Sequence, residues 1–392
     1  ASCASGVCHG SVHARTTTSV LQNEYVVWSR LDRHRTAYQT LLSEQSRWIA
    51  QNLGLANAHE ADVCLDCHAD NVAAEKRGER FQIDDGVGCE ACHGGAENYL
   101  ASHANPNQSH EQNLQAGLYP ADRLIDRAAL CLSCHVGNAS KIASHRIMGA
   151  GHPRISFELD TFGVLQPAHY VIDDDYRSRK ETTDSVTTWA VGQIEYARQT
   201  LGLIETHLDQ PGMFPELSLF DCHACHHGIS DQRWESQKHV GLPPGSVRLN
   251  DAGFVMLIAI AQTVDTKVEA RLYQVLQRLH QSANNNDDMR EAIEPLKVLI
   301  DDLQGPAISA ASKSDELLRN IVGLCQKGSI RDYVTAEQAV MAIELLADAT
   351  GEREQHADLL ERLYKSVSNE DSFDAYLFVD VMNDWGKSLP SY

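Results

Sequence analysis

Ten of the eleven cysteines fall in five pairs, and each pair is followed at once by histidine. Four pairs share one spacing: Cys64-Leu-Asp-Cys67-His68, Cys89-Glu-Ala-Cys92-His93, Cys131-Leu-Ser-Cys134-His135 and Cys222-His-Ala-Cys225-His226. The fifth, Cys3-Ala-Ser-Gly-Val-Cys8-His9, has four residues between its cysteines instead of two. Two thiols at such spacing clamp the vinyl groups of a porphyrin as thioethers, and the adjacent histidine falls under the iron as proximal ligand. Zinc ribbons, disulfides and redox cysteine pairs are the rival readings, and the gap from Cys67 to Cys89 is near a zinc-ribbon spacing. None of these needs a histidine after every pair. Histidine is 19 of 392 residues, so its arrival there five times by chance has odds on the order of one in a million. Five covalently attached c-type haems are therefore expected, with proximal ligands His9, His68, His93, His135 and His226. The longer Cys3–Cys8 loop is the less stringent fit.

Five irons need up to five distal ligands, and fourteen histidines remain. His34 stands first, on an expected helix from Ser19 to Leu53 with Leu31, Tyr38 and Leu41 at helical spacing, so that it points inward. His103 follows the Cys89–His93 motif in a loop. His145 and His152 flank Arg146-Ile-Met-Gly-Ala-Gly151, whose glycines permit a close approach to a porphyrin, while Pro153 stiffens the exit. His13 and His169 complete the candidates. His223 and His227 flank a proximal ligand and cannot readily turn over the same iron, so solvent-facing roles are expected of them. His280 and His356 are expected to be structural or exposed. Cys325, in Ile321-Val-Gly-Leu-Cys325, reads as a buried apolar residue.

The elements that must position these groups are helices and Gly/Asn-rich loops, with little period-2 strand pattern. Proximal histidines are separated by 59, 25, 42 and 91 residues, too little chain for a separate core around each haem. Porphyrin faces must then supply much of the interior, and aromatic residues are only 6% of the chain. A second helix is expected from about Ser185 to His207, with Trp189, Ile194, Ala197, Leu201 and Ile204 on one side. Gly241-Leu-Pro-Pro-Gly-Ser-Val247 is a strong breaker. Beyond it, helices are expected at 251–282, 288–303, 314–325, 335–350, 352–367 and 373–386, the fourth with a Thr335–Gln338 capping box. The expected fold is thus mainly α: a pentahaem cytochrome c domain over 1–240, then a haem-free helical bundle over 241–392.

The formal charge of −21 argues against nucleic acid or anionic lipid as partner, since both need a basic face. The two expected domains carry −11 and −10. A redox protein with a basic docking face would be steered in, at a rate that falls with salt. The longest apolar stretch, Ala252 to Val264, is too short to span a bilayer. Covalent haem is attached outside the cytoplasm, so a periplasmic or extracellular protein is expected, with a signal peptide removed before Ala1.

The stretch Gly86-Val-Gly-Cys-Glu-Ala-Cys-His-Gly-Gly95 resembles the third haem motif of the cytochrome c-554 family. The order around it is similar too: an early haem, a Trp–His helix, CLDCH, GVGCEACHGG, a following histidine, then CLSCH. The resemblance covers roughly residues 3–210 and implies a mainly helical multihaem fold that carries electrons. It also implies that His34, after Trp28, and His103 are iron ligands. The chain departs from the family in the Cys3–His9 spacing, the added motif at Cys222–His226 and the C-terminal bundle.

Three functions follow as expectations. The first is an electron carrier whose haems are mostly six-coordinate with two histidines. The second is an oxidoreductase of a small nitrogen or sulfur compound at one open haem, with Arg154, His169 and Tyr170 as polar groups beside it. No Cys-x-x-Cys-Lys motif is present, so a lysine-ligated haem is not expected. The third is a subunit of a larger, self-assembling conducting complex, with the bundle either as docking module or as a solubilising cap.

Overall fold

The computed structural model describes residues 2–17, 20–209, 216–226, 240–243 and 245–389. They are mainly α-helical: eighteen α-helices joined by short 3-10 turns, with two isolated β-bridges and no strand among the described residues. The chain packs as two compact units, Ala1–Ile155 with Thr161–Thr183, and Ser156–Asp160 with Asp184–Tyr392. The first four Cys–His motifs lie in the first unit, and Cys222–His226 lies in the second.

In the first unit the single helix expected from Ser19 to Leu53 is broken into pieces. Ser19 lies outside the described residues; the rest forms Glu24–Leu31, a 3-10 turn Arg33–Thr36, then Ala37–Thr40 and Glu44–Leu53. Asp32 makes the first break. Its backbone is extended and its carboxylate accepts the His34 amide at 2.9 Å, an alternative to the helical hydrogen bond. Ser43 repeats the device, accepting the Ser46 amide at 3.1 Å. Leu31, expected to face inward, is 64% exposed. His34 therefore sits on a capped turn rather than on a helix face. A strap from another motif fixes that turn: Val87 donates its amide to the His34 carbonyl at 3.0 Å, and Trp28 Nε1 donates to the Val87 carbonyl at 3.1 Å. Gly86 makes the approach feasible. Its φ is +72°, and a Cβ there would lie 2.6 Å from the His34 carbonyl oxygen.

The second unit is a helical bundle with a conventional apolar core. Along Ser185–Asp209, residues Trp189, Ile194, Ala197, Leu201 and Ile204 are all buried, as their spacing predicts. Ala252–Val264 is buried on nearly every side. The helix expected over 251–282 is two, because Asp265 is extended and caps Thr266–Gln281 through the Lys267 amide at 2.8 Å. Asn286–Ala310 is longer than expected and retains Pro295 and Pro306 inside it. The Thr335–Gln338 capping box is replaced by Asp332, whose carboxylate accepts the Thr335 amide and hydroxyl, both at 2.9 Å. Gln338 instead bonds the Phe157 carbonyl and the Gln193 amide group, binding the 156–160 segment to this unit. The remaining helices are Ser314–Gln326, Ala357–Ser366 and Ala375–Ser388, the last burying Phe378 and Trp385. Cys325 is buried, and burial pushes its thiol up to about 12.

The start of Ser185–Asp209 yields a stability test. Asp184 accepts the Thr187 amide and hydroxyl, each at 2.8 Å. Burial works against its charge, but these bonds outweigh it and hold the carboxyl below its ordinary value. The stabilisation is then present above the unfolded pKa and is lost as pH falls through the folded one. Asp184→Ala is expected to cost about 1 kcal/mol at neutral pH, and less in acid, in denaturant unfolding at several pH values.

Candidate functional site

Eight histidine rings of the first unit meet in four pairs at nearly one separation. His9 and His103 are 6.1 Å apart between ring centroids, His34 and His135 6.2 Å, His68 and His152 6.3 Å, and His93 and His169 6.1 Å. Each pair joins the histidine of one Cys–His motif to a histidine outside the motifs. A ring nitrogen sits roughly 2 Å from a first-row metal. A five-membered ring with bonds near 1.35 Å has a radius of about 1.15 Å. Two rings on opposite sides of one iron thus have centroids about 6.3 Å apart. The four gaps each fit one iron.

In five of these rings, those of His9, His34, His68, His103 and His152, the other nitrogen is tied back, as is usual for a metal-ligating histidine. His9 Nδ1 meets Glu24 Oε2 at 3.0 Å, and His34 Nδ1 meets Asp32 Oδ1 at 2.9 Å. His68 Nδ1 bonds the Ala37 carbonyl at 3.0 Å, and His152 Nδ1 the Pro153 carbonyl at 2.8 Å. His103 Nδ1 faces the carbonyls of Leu100 at 2.8 Å and Tyr99 at 3.1 Å. These bonds leave Nε2 as the outward nitrogen in each ring. The protonation states divide in two groups. Burial holds His93 and His135 down at about 4, and lowers His68 and His169, so these imidazoles are neutral. The carboxylates raise His9 and His34. Burial opposes the charge of Asp32, but hydrogen bonds from His34 and Gln166 outweigh it and hold Asp32 at about 2.

Local structure explains each placement. His103 is set by the turn after Cys89–His93, where Tyr99 donates its hydroxyl to the His93 and Gly94 carbonyls, yet its ring faces His9 rather than His93. Gly151, at φ +116°, brings the backbone before His152 against Trp48, where a Cβ would lie 2.7 Å from Cζ3. The close approach is thus to an indole. His13 and His145 are exposed and join none of the four pairs. His223, expected to face solvent, is mostly buried, edge-on to the Tyr333 ring at 6.1 Å. His280 and His356 are buried. His227 and His239 lie outside the described residues.

The cysteines are arranged to match. None is in a disulfide, and among the described residues no three of His, Cys, Asp or Glu converge on one metal position as a zinc site demands. Thiols of different motifs face each other: Cys3 hydrogen-bonds Cys89, and Cys134 hydrogen-bonds Cys67. Lys141 Nζ donates to Cys134 Sγ at 2.9 Å. Large apolar side chains, among them Val7, Leu31, Trp48 and Val63, stand exposed in this unit. Paired rings, tied-back nitrogens and flanking thiols together fit four covalently held haems. Such a group, when bound, supplies a one-electron iron couple. In the second unit Cys222 and His226 lie on a short turn capped by Asp221, which accepts the His223 amide at 3.1 Å.

Pairing was the part that spacing missed. The partner of each motif histidine lies between 76 and 101 positions away, a separation that no local pattern encodes, as His93 with His169 and His34 with His135 show. The described helices include none long and apolar enough to cross a membrane. The family model described as cytochrome c554 and c-prime matches residues 3–94. No curated protein and no solved structure matches the chain.

Proposed function

From the premise that this chain belongs, through residues 3–94, to the cytochrome c554 and c-prime family of multihaem c-type cytochromes, we propose that it is a periplasmic or extracellular pentahaem electron carrier. The observation that carries this reading is the set of four histidine pairs at 6.1–6.3 Å. His9, His68, His93 and His135 are the proximal ligands, and His103, His152, His169 and His34 their respective distal ligands. Cys3, Cys8, Cys64, Cys67, Cys89, Cys92, Cys131 and Cys134 hold the four macrocycles, and Cys222, Cys225 and His226 a fifth.

These residues perform three tasks. The two imidazoles of each pair would hold one iron between them and leave no open face for a substrate, which would favour electron transfer. Glu24 and Asp32 pull on the Nδ1 protons of His9 and His34, making those imidazoles stronger donors and favouring ferric iron. The facing thiols bring sites together in the order His9, His93, His135, His68: Cys3 meets Cys89 and Cys134 meets Cys67, while the charge of Cys131 is felt at Cys92. The electron route therefore runs first, third, fourth, second along the sequence. A redox partner with a basic face would be attracted to the acidic surface.

Ring orientation gives the test. The His9 and His103 planes are 14° apart, whereas the other three pairs are crossed at 82–90°. Parallel imidazoles split the two iron dπ orbitals and give a rhombic low-spin signal; crossed ones leave them nearly degenerate and give a large maximal g. Low-temperature EPR of the oxidised protein, after a pyridine haemochrome count, should show one rhombic and three large-g low-spin haems from the first unit. Nitrite, hydroxylamine or cyanide should leave those four unchanged. High-spin iron at these sites that shifts with nitrite would replace this reading with a catalytic one.

A further inference from the structure

Beside the His93–His169 pair lies a polar cleft of about 350 Å³, walled by His110, the cations Arg123, Arg177, Arg179 and Lys180, and the carboxylates Glu111, Asp122 and Glu181. Most of its charges are matched locally. His110 pairs with Asp122 at 3.0 Å, Arg123 with Glu111 at 3.1 Å, Arg177 with Asp174 at 3.5 Å, and Arg179 with Asp175. Lys180 differs. Among the described residues no carboxylate lies within ion-pair distance of its Nζ, which rests over the Tyr176 ring, 4.9 Å from the centroid. Tyr176 stacks on Tyr170 at 5.6 Å and 18°, and Tyr170 meets His169 edge-on at 5.8 Å. An aromatic column thus ties this ammonium to the paired histidines, and its charge is felt at His93. Arg127 adds a second cation, felt at Tyr176 and Cys131.

A half-buried ammonium over one ring has lost hydration that a ring face only partly replaces. An anion in the cleft would complete it. We propose that Lys180 is the anchoring cation of an anion site beside the His93–His169 pair, for a carboxylate or small oxyanion. The inference rests on the haem reading of that pair. The same chemistry has two sources: a propionate of the macrocycle held there, or a free oxyanion from solvent.

The experiment uses the full haem-loaded chain, its Lys180→Met variant and the charge-conserving Lys180→Arg. Haem content is fixed first by pyridine haemochrome. Potentials are then read by spectroelectrochemistry in anion-poor buffer and with added inorganic phosphate. A cation favours the reduced, more negative site, so Lys180→Met should lower one potential and Lys180→Arg should restore it. A drop that ignores phosphate, with the pH dependence of that potential in the carboxyl range also shifted in Lys180→Met, assigns the site to a propionate. The same drop with an unchanged pH dependence is the field of the lysine alone and overturns the proposal. A native potential that falls as phosphate is added, with the response lost in Lys180→Met, assigns it to a free oxyanion. Unchanged potentials in Lys180→Met, with and without phosphate, overturn the proposal. A chain that carries no haem at the Cys89–His93 motif sinks the haem reading instead, and phosphate calorimetry on the native chain and Lys180→Met then decides the cleft alone.

Discussion

His152→Ala is expected to convert one low-spin haem per chain to high spin and to raise its reduction potential. The ring of His152 stands 6.3 Å from that of His68, across a gap that fits one iron. Its Nδ1 is held by the Pro153 carbonyl at 2.8 Å, so its Nε2 has one direction to point. Alanine removes the only group offered to that face by this segment, and water, a weaker donor, takes its place. Loss of a strong donor destabilises ferric iron, hence the upward shift. EPR should gain a high-spin signal of one-haem intensity, and cyanide should then bind there. His13→Ala should leave the four low-spin signals of the first unit in place, since this exposed ring joins none of the four pairs. Unaltered low-spin intensity in His152→Ala would sink the pairing.

Arg248→Ala should be the most damaging single change in the second unit, at about 3–5 kcal/mol. Arg248 is 4% exposed and pairs with Asp332 and, at 3.3 Å, with Asp251, itself 1% exposed. Asp251 also meets the buried His280 at 3.1 Å. Burial and the charge of Asp332 raise the Asp221 carboxyl, against the pull of Arg248. Removing the guanidinium leaves the buried carboxylates of Asp332 and Asp251 without the cation that bridges them. Their pKa values in the folded variant then rise above the unfolded ones, so its stability is retained in acid and lost as pH increases. Asp332→Asn with Asp251→Asn in the Arg248→Ala background should recover much of the loss, since asparagine still caps the helix from Tyr333. Asp221 also caps the turn of Cys222 and His226, so haem content at the fifth motif should fall with stability. Denaturant unfolding from pH 5 to 8 checks both trends; an Arg248→Ala chain within 1 kcal/mol of native would refute them.

The sequence by itself determined the chemistry and the class of fold. Cysteine pairs ending in histidine are a covalent requirement, visible wherever the chain places them, and helical periodicity along Ser185–Asp209 survives because an apolar face must be buried in any packing. The candidate distal set contained His34, His103, His152 and His169, the four that face motif histidines in the first unit, beside His13 and His145, which join none of these pairs. Tertiary structure alone chose among them. Whether a histidine reaches an iron depends on where two distant segments meet, as when the turn after His93 delivers His103 to His9. Local side-chain competition was equally hidden: Asp32, Ser43 and Asp265 each end a helix whose apolar period runs on, because a short acceptor can bond the backbone in place of the next turn. The facing of thiols from nonadjacent motifs likewise came from packing, since Cys3 meets Cys89 and Cys134 meets Cys67 only once the chain has folded.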